Sequence, residues 1–163
     1  LPEAQVDRFL FKINVGYPTR EDEKKIILNN NDVRSMADFK IGRVISISDL
    51  RRFQSCLHDV FSSDEIIRYI YNLVDATRNP KKYSIESGKY VRWGGSPRAC
   101  ISLSLAAKAN ALVNGRGYTL PDDVKSIAKN VLRHRMVLNY EGKAKNIQTD
   151  EIVDDIMGKV EVL

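Results

Sequence analysis

The segment at residues 93–99 places the strongest constraint on how this chain can fold. Its Ser96 and Pro97 are the residue types preferred at the N-cap and at the first position of a helix. An apolar run follows from Ala99 to about Asn114, and Gly115 is the residue type that most often ends a helix. The sequence therefore predicts a long, buried central helix with a sharply defined start.

Arg98 is an unusual residue for the first turn of this helix. That turn carries a partial positive charge and unpaired N–H groups, so a cation is disfavoured there unless an anion lies beside it. The two glycines Gly94 and Gly95 remove side-chain bulk where a large ligand could approach. We expect either a bound phosphate or carboxylate at this point or an internal Asp or Glu that pairs with Arg98.

Composition and charge narrow the classes of protein to consider. With 163 residues, 43% hydrophobic and 29% charged, the chain has the composition of a soluble globular protein. Its most apolar stretch, residues 99–113, is shorter than the roughly 20 residues needed to cross a bilayer, so no membrane insertion is expected. A net charge of +5 raises nucleic acid as a partner. The basic residues are scattered among 21 acidic ones, however, which favours a solvated mixed surface and makes nucleic acid an unlikely partner.

The cysteines and histidines suggest neither a disulfide framework nor a metal site. Cys56 and Cys100 lack CxxC spacing, and His58 and His134 lie far from each other in the sequence. Reduced thiols are typical of a cytoplasmic protein. Because residue 1 is Leu and no signal-like segment precedes the fold, we expect the chain to be a piece of something longer.

The beginning of the chain predicts one strand and a domain boundary. The β-rich apolar run at residues 9–15, directly after Arg8, is typical of a buried strand. No second strand of this kind follows, so its sheet partners are expected in sequence that is absent here. Thr19 is placed to cap a helix, and we put the boundary of a second domain there.

Helical periodicity predicts a bundle for the rest of the chain. Beyond the helix capped by Thr19 and the central helix, we expect four helices, two beginning at Ser48 and Ser63, one running from Pro121 to about Leu138, and one capped by Thr149. All their apolar stripes are assigned to the core, including Leu50 and Phe53 of the helix at Ser48. Residues 29–42 are predicted to form a linker, and a small hairpin is expected about Ser87 and Gly88. The predicted fold class is mainly α, a helical bundle preceded by one strand.

Four motifs, in this order and spacing, resemble the MoxR family of AAA+ ATPases. The resemblance covers nearly the whole chain and departs only in small ways, with Gly95 where the family usually has Ala and Val6 where Leu is common. The motifs are Leu1-Pro2-Glu3-Ala4-Gln5-Val6-Asp7-Arg8-Phe9, Gly94-Gly95-Ser96-Pro97-Arg98-Ala99, Gly115-Arg116-Gly117-Tyr118-Thr119-Leu120-Pro121-Asp122-Asp123-Val124 and Val131-Leu132-Arg133-His134-Arg135.

The resemblance implies a division of the chain and a role for two arginines. Residues 1–19 would be the C-terminal tail of the nucleotide-binding α/β core, and residues 20–163 the helical AAA+ lid domain. Arg8 matches the arginine finger, which acts in trans on the nucleotide of the neighbouring subunit; the alternative for Arg8 is a surface pair with Asp7 or Glu3. Arg98 matches the sensor 2 arginine that reads the γ-phosphate, and Gly95, Ser96 and Pro97 of the same turn would bind the nucleotide with it. Whether sensor 2 acts within its own subunit or across to its neighbour stays open.

The resemblance also implies cofactors and partners. ATP and Mg²⁺ would be the ligands, with the metal held by the missing core. The partners would be further copies in a ring, expected to be a hexamer, together with a protein containing a von Willebrand factor A domain and a client complex to be remodelled or activated. The phosphate-binding Gly-Lys-Ser/Thr loop is absent, so this piece alone is expected not to hydrolyse ATP. Two alternatives are a helical nucleic-acid-binding module and a protein-interaction domain whose ATPase core has decayed.

Overall fold

The computed structural model of the protein describes residues 2–29, 39 and 41–162, with the backbone alone at residues 3 and 4. The described residues form two compact units, one from residues 2–12 with 55–162 and one from residues 13–54. The predicted mainly helical fold class is confirmed. Among the helices described, none combines the length and apolar character that crossing a membrane requires.

The secondary structure of the described residues consists of helices with one short sheet. Two helices that were not predicted, α1 and α7, are short. In chain order the α-helices are α1 (Glu3–Val6), α2 (Arg20–Asn29), α3 (Ile47–Cys56), α4 (Asp64–Arg78), α5 (Pro97–Val113), α6 (Pro121–Leu132), α7 (Tyr140–Ala144) and α8 (Thr149–Lys159). Two 3₁₀ turns (Pro80–Tyr83 and Ser87–Tyr90) follow α4, and the strands are β1 (Val91–Trp93) and β2 (Val137–Leu138).

The core of the larger unit lies among α4, α5, α6 and α8. Helix α5 is apolar on several faces, and its buried positions are mostly alanine, which lets α6 pack closely against it. The predicted stripes of α4, α6 and α8 are largely buried, although Ile67 of α4 is exposed. Fully buried members of the core include Leu73, Val74, Leu103, Ala107, Val124, Val131, Leu132, Ile152 and Ile156.

Most predicted helix ends are confirmed. The Ser63 side chain accepts a hydrogen bond from the N–H of Ile66 at the start of α4, and α5 and α6 begin at their prolines. Gly115 follows α5 with φ of +72°, a left-handed conformation that suits glycine. The cap predicted at Thr149 is wrong by one residue, because Gln148 occupies the N-cap and makes no side-chain bond there.

The region between α4 and α5 differs from the prediction. There is no hairpin about Ser87 and Gly88; instead β1 pairs antiparallel with β2, which comes after α6. The predicted continuation of α6 to Leu138 is wrong for the same reason, since the chain leaves the helix after Leu132 and Val137 pairs with Trp93.

The strand predicted at residues 9–15 is also wrong. This segment has no regular secondary structure. The side chains of residues 133–135 bind the carbonyl oxygens of Phe9, Leu10 and Lys12, the groups that a neighbouring strand would have bound. The segment therefore satisfies part of its backbone without a sheet.

The smaller unit carries α2 and the greater part of α3. The Asp22 N–H donates to Thr19 Oγ1 over 3.2 Å, so the predicted cap of α2 is confirmed. Helix α3 is capped by Ser46, not by Ser48, because Ser46 and Asp49 bond each other's backbone N–H in a capping box. The predicted linker at residues 29–42 lies largely outside the described residues.

The apolar side chains of α3 are exposed. Leu50 and Phe53 are 47% and 55% exposed, so their assignment to the core is wrong. Further along the same predicted stripe Val60 is buried and Phe61 is exposed. A helical period alone shows that one face is apolar and does not show what covers it.

The two glycines before Ser96 are required by helix α4. A Cβ on Gly94 would lie 2.5 Å from the carbonyl oxygen of Thr77, and a Cβ on Gly95 would lie 3.1 Å from the Cβ of Ala99. The Gly95 N–H donates to Thr77 Oγ1 over 2.9 Å, and its carbonyl accepts from Arg78 Nε over 2.6 Å. The interpretation that Gly94 clears space for a ligand is therefore wrong, because the end of α4 fills that space.

Gly94→Ala should destabilise the protein by about 1–3 kcal/mol, the typical cost of overpacking, because the new methyl group would meet backbone that cannot rotate away. Gly95→Ala should cost less than about 1 kcal/mol, since its neighbour need shift only slightly. Urea unfolding of both variants beside the parent measures the difference. Equal stability of the two variants would contradict this packing.

Candidate functional site

An acidic residue lies at the start of α5. The Ser96 hydroxyl accepts from the Arg98 N–H over 3.2 Å and donates to the carboxylate of Asp7 over 2.9 Å. Arg98 Nη1 donates to the same carboxylate over 3.1 Å. The anion expected beside Arg98 is therefore present within the chain, as the internal-pair alternative predicted. The side chain of Arg98 is still 58% exposed.

Asp7 has a third partner on its other side. Its side chain is only 16% exposed, and its Oδ1 lies 3.4 Å from Nε of Arg135. Ser96 and Arg98 at the start of α5, and Arg135 in the segment after α6, thus surround one carboxylate. A largely buried carboxylate needs such partners, because leaving it unpaired would be costly. Asp7 consequently fixes residues 2–12 against the start of α5.

Arg135 holds the backbone on either side of Asp7. Its side chain is 1% exposed, and its Nη2 donates to the carbonyl oxygens of Asp7 over 3.2 Å and Phe9 over 2.7 Å. Its Nη1 donates to the carbonyl of Leu10 over 3.1 Å, and Nη2 also reaches the Ser102 hydroxyl of α5. Burial lowers the pKa of Arg135, and the charge of Asp7 acts in the opposite direction.

Arg133 also holds the segment that contains Asp7, at its far end. It forms a bidentate pair with Asp150 at 2.9 Å for both bonds, and Nη1 donates to the carbonyl of Lys12 over 3.1 Å. The Lys12 N–H in turn donates to the carbonyl of Asn130 over 2.9 Å. The first turn of α8 and the end of α6 therefore hold the far end of the same segment.

His134 contributes a hydrogen bond in its neutral form. Its Nε2 lies 3.0 Å from the carbonyl oxygen of Phe9, so Nε2 carries the proton. Nδ1 is buried and finds no hydrogen-bond partner among the described residues. Burial is the main cause that lowers the pKa of His134, and the charge of Arg135 adds to it. Protonation would place a second, unsatisfied N–H in the interior.

Arg8 is exposed at the same end of α5. Within the described residues it makes no ion pair, although Asp7 is its neighbour in the chain. The alternative in which Arg8 pairs with Asp7 is therefore not what the structure shows, because that carboxylate faces Ser96, Arg98 and Arg135. The side chain of Glu3 lies outside the described part.

The remaining predicted site residues differ in accessibility. Pro97 is exposed, whereas Gly95 is buried with its N–H and carbonyl both bonded to α4. A nucleotide contact of Gly95 stays a prediction.

Sequence reasoning missed the residues that assemble this site. The sequence suggests Asp7 only as a partner for Arg8, and its motifs include Arg133, His134 and Arg135 without indicating what these side chains bind. One signal was available, because three basic residues directly after a buried helix stripe require acceptors nearby. What the sequence does not contain is the identity of those acceptors, which are mainly backbone carbonyls more than 120 positions away.

Comparisons with known proteins agree on one family. The model described as AAA lid domain matches residues 86–156, which include α5, its start and Arg98. The chain is 39% identical over 161 residues to Chaperone MoxR1 of Mycobacterium tuberculosis, a match that covers 98% of this chain and 42% of that protein. It is 38% identical over 162 residues to the protein YeaC of Bacillus subtilis, covering 99% of this chain and 48% of the relative.

A solved structure supports the same fold. The crystal structure of a proposed ATPase from Cytophaga hutchinsonii matches with a TM-score of 0.89 and 37% identity, covering 100% of this chain and 49% of that one. Protein MoxR of Paracoccus denitrificans is 30% identical over 152 residues, covering 85% of this chain and 44% of that protein. The chain spans less than half the length of each of these relatives.

Arg135→Met should destabilise the protein by about 3 kcal/mol or more, because it removes a buried charge that pairs with Asp7 and binds several carbonyls. Arg68→Met, at an exposed position of α4, is the matched control and should change stability by less than about 0.5 kcal/mol. Urea unfolding gives the free energies. Limited proteolysis of folded Arg135→Met should also cut residues 7–12 faster than in the parent; protection equal to the parent would contradict this role.

Proposed function

We propose, from the premise that this chain belongs to the MoxR family of AAA+ ATPases and contains an AAA lid domain, that it links the state of a bound nucleotide to the position of the lid. One observation carries the proposal. Arg98, the candidate sensor 2, is bonded to Asp7, and Asp7 is followed directly by Arg8, the candidate arginine finger. The Asp7 carboxylate thus ties Arg98 to the backbone segment that carries Arg8.

The surroundings of Arg98 fit a phosphate oxygen. Arg98 lies in the first turn of a helix of 17 residues, where backbone N–H groups and the helix dipole favour an anion. Only one of its terminal nitrogens donates to Asp7, and no other hydrogen bond of this guanidinium occurs within the described residues. Its exposed donors remain available for a second acceptor.

Asp7 allows Arg98 to change partner at small cost. If Arg98 exchanges this carboxylate for a phosphate oxygen, Asp7 keeps its bond from Ser96 and its ion pair with Arg135. A carboxylate that retained no partner would oppose the exchange strongly. The bond between Arg98 and Asp7 therefore orients the guanidinium without preventing it from turning toward a phosphate oxygen.

Arg8 is proposed to act on the neighbouring subunit. Its side chain is exposed, and its backbone is held by the contacts of Arg135 to Asp7 and Phe9 on either side. An arginine that serves a partner's nucleotide must combine those two properties, an accessible charge and a fixed base.

The rest of the proposal concerns the longer protein. ATP supplies the γ-phosphoryl group whose hydrolysis provides the energy, and the nucleotide-binding core supplies the Mg²⁺ ligands. In that protein, subunits assemble into a ring, expected to be a hexamer in the cytoplasm. The ring remodels or activates client complexes together with a protein that carries a von Willebrand factor A domain. The chaperone name of the mycobacterial relative supports the client role.

In an ATPase that contains this chain and its core, Arg8→Ala should lower ATP hydrolysis roughly a thousandfold or more while ATP binding stays near normal, because an arginine finger acts on the transition state. Arg68→Ala is the control and should hydrolyse ATP at the parent rate. Steady-state turnover and nucleotide titration are the measurements. Loss of ATP binding in Arg8→Ala, or full activity, would contradict an action in trans.

In the same ATPase, Arg98→Ala should remove most of the preference for ATP over ADP. A charge-assisted contact is worth on the order of 1.5–3 kcal/mol, or roughly ten- to a hundredfold in affinity. Arg98→Lys should restore only part of it, because lysine lacks the planar fork. Titration with both nucleotides measures the ratio.

The stability of the 163-residue chain separates this role from a purely structural one. Arg98 is more than half exposed, so its pair with Asp7 should contribute at most about 1 kcal/mol. A loss well above that value in Arg98→Ala, with nucleotide discrimination unchanged, would make Arg98 a structural residue.

A further inference from the structure

A cavity of about 820 Å³ lies between the end of α4 and the two 3₁₀ turns, away from the contacts of Asp7. Its apolar surface comes from Pro80, Ile85 and Val91, of which Ile85, at 4% exposed, is the most buried. Arg78, Lys81 and Lys89 line the same cavity and are exposed. The cavity therefore has an apolar floor and a cationic rim.

The rim carries an excess of positive charge. A fourth lining cation, Lys82, is neutralised by Asp75 at 2.9 Å, and Glu86 is the acidic residue that lines the cavity. Lys81 and Lys89 make no ion pair within the described part of the chain. Three cations thus face one carboxylate around the opening.

The walls of the cavity are held in place. A Cβ on Gly88 would lie 2.0 Å from Cβ of Pro80, so the two 3₁₀ turns are in close contact. Asp75 accepts from Lys82, from Asn79 and from the Tyr83 hydroxyl, which fastens the first turn to α4. A site with fixed walls binds without a large ordering cost.

Ser84, between the two turns, adopts φ of +55°, in the left-handed region. Non-glycine residues are uncommon in this region, and such conformations concentrate at ligand sites. The serine lines the cavity with its side chain exposed.

We propose that this cavity binds an acidic peptide segment of a partner protein. An apolar side chain of the peptide would occupy the floor at Ile85, and its carboxylates would pair with Arg78, Lys81 and Lys89. Flexible lysines suit carboxylates spaced along a chain, and the cavity volume exceeds what a single anion needs. Within the part of the chain that the structure describes, no aromatic side chain lines the cavity, whereas sites for single-stranded nucleic acid stack bases on aromatic rings. The inference rests on this cavity alone and not on the proposed nucleotide contacts.

The cavity is connected to the start of α5. Arg78 lines the rim and also donates through Nε to the carbonyl of Gly95, the residue before Ser96. A peptide carboxylate on the terminal nitrogens of Arg78 would leave that bond in place and stiffen it. Binding of a peptide in the cavity should therefore affect the backbone at the N-cap of α5.

The test uses the 163-residue chain and a short fluorescein-labelled peptide of glutamates around one central leucine. Fluorescence anisotropy should show saturable binding that weakens with salt. Lys81→Glu combined with Lys89→Glu should weaken it about tenfold or more. Arg68→Glu combined with Lys125→Glu reverses as much charge at exposed positions outside the cavity and should change affinity less than about twofold. Thermal unfolding checks that both double variants fold.

Several results would overturn the proposal. They are no saturable binding of the glutamate peptide, an equal loss in the two double variants, or unchanged binding when glutamine replaces the glutamates. Replacing the central leucine by glycine should also weaken binding. Equal affinity would contradict the proposed contact between the leucine and the apolar floor at Ile85. Tighter binding of an oligothymidylate of the same charge, lost in Lys81→Glu with Lys89→Glu, would make this a nucleic-acid site instead.

Discussion

The buried guanidinium of Arg135 is the contact on which the arrangement at the start of α5 depends. It binds the carbonyls of Asp7, Phe9 and Leu10 and places its charge beside the Asp7 carboxylate. Arginine suits this task because its planar group presents several donors in fixed directions and keeps its charge when buried. Without that anchor, Ser96 and Arg98 alone would hold Asp7 against the start of α5. Both candidate nucleotide contacts therefore derive their placement from a residue that is almost inaccessible to solvent.

Local patterns predicted the parts of the fold that local physics decides. The Ser63 and Ser96 caps, the glycine after α5 and the buried stripes of α6 and α8 follow from caps, backbone conformation and a 3.6-residue period. The segment at residues 9–15 has strand composition, but its carbonyls bind side chains from distant positions. Leu50 and Phe53 have the right period and remain exposed. Composition shows which secondary structures a segment can adopt, whereas the groups that pack against the segment decide which one forms.

The sequence predicts that the candidate site pairs a cation with an anion, but it does not predict which residues come together to form the site. A cation in the first turn of α5 requires an anion nearby, and that reasoning held for Arg98 without any knowledge of the fold. The identity of the anion did not follow, since Asp7 is 91 positions away and meets Arg98 only when residues 2–12 pack against α5. Gly94 is the opposite case. The local pattern suggests that this glycine makes room for a ligand, but the glycine is required because the end of α4 fills the space beside it.

The last turn of α4 connects the two proposed sites. Thr77 and Arg78 bond the N–H and carbonyl of Gly95 from one side, and Arg78 lines the cationic cavity on the other. Gly95 precedes the residue that caps α5 and holds Asp7, so displacement of this turn would alter the geometry around Arg98. A coupling between the sites requires differential contacts in two states of one element, not proximity alone. The end of α4 provides a physical connection between the sites, because the Arg78 side chain both lines the cavity and bonds the carbonyl of Gly95.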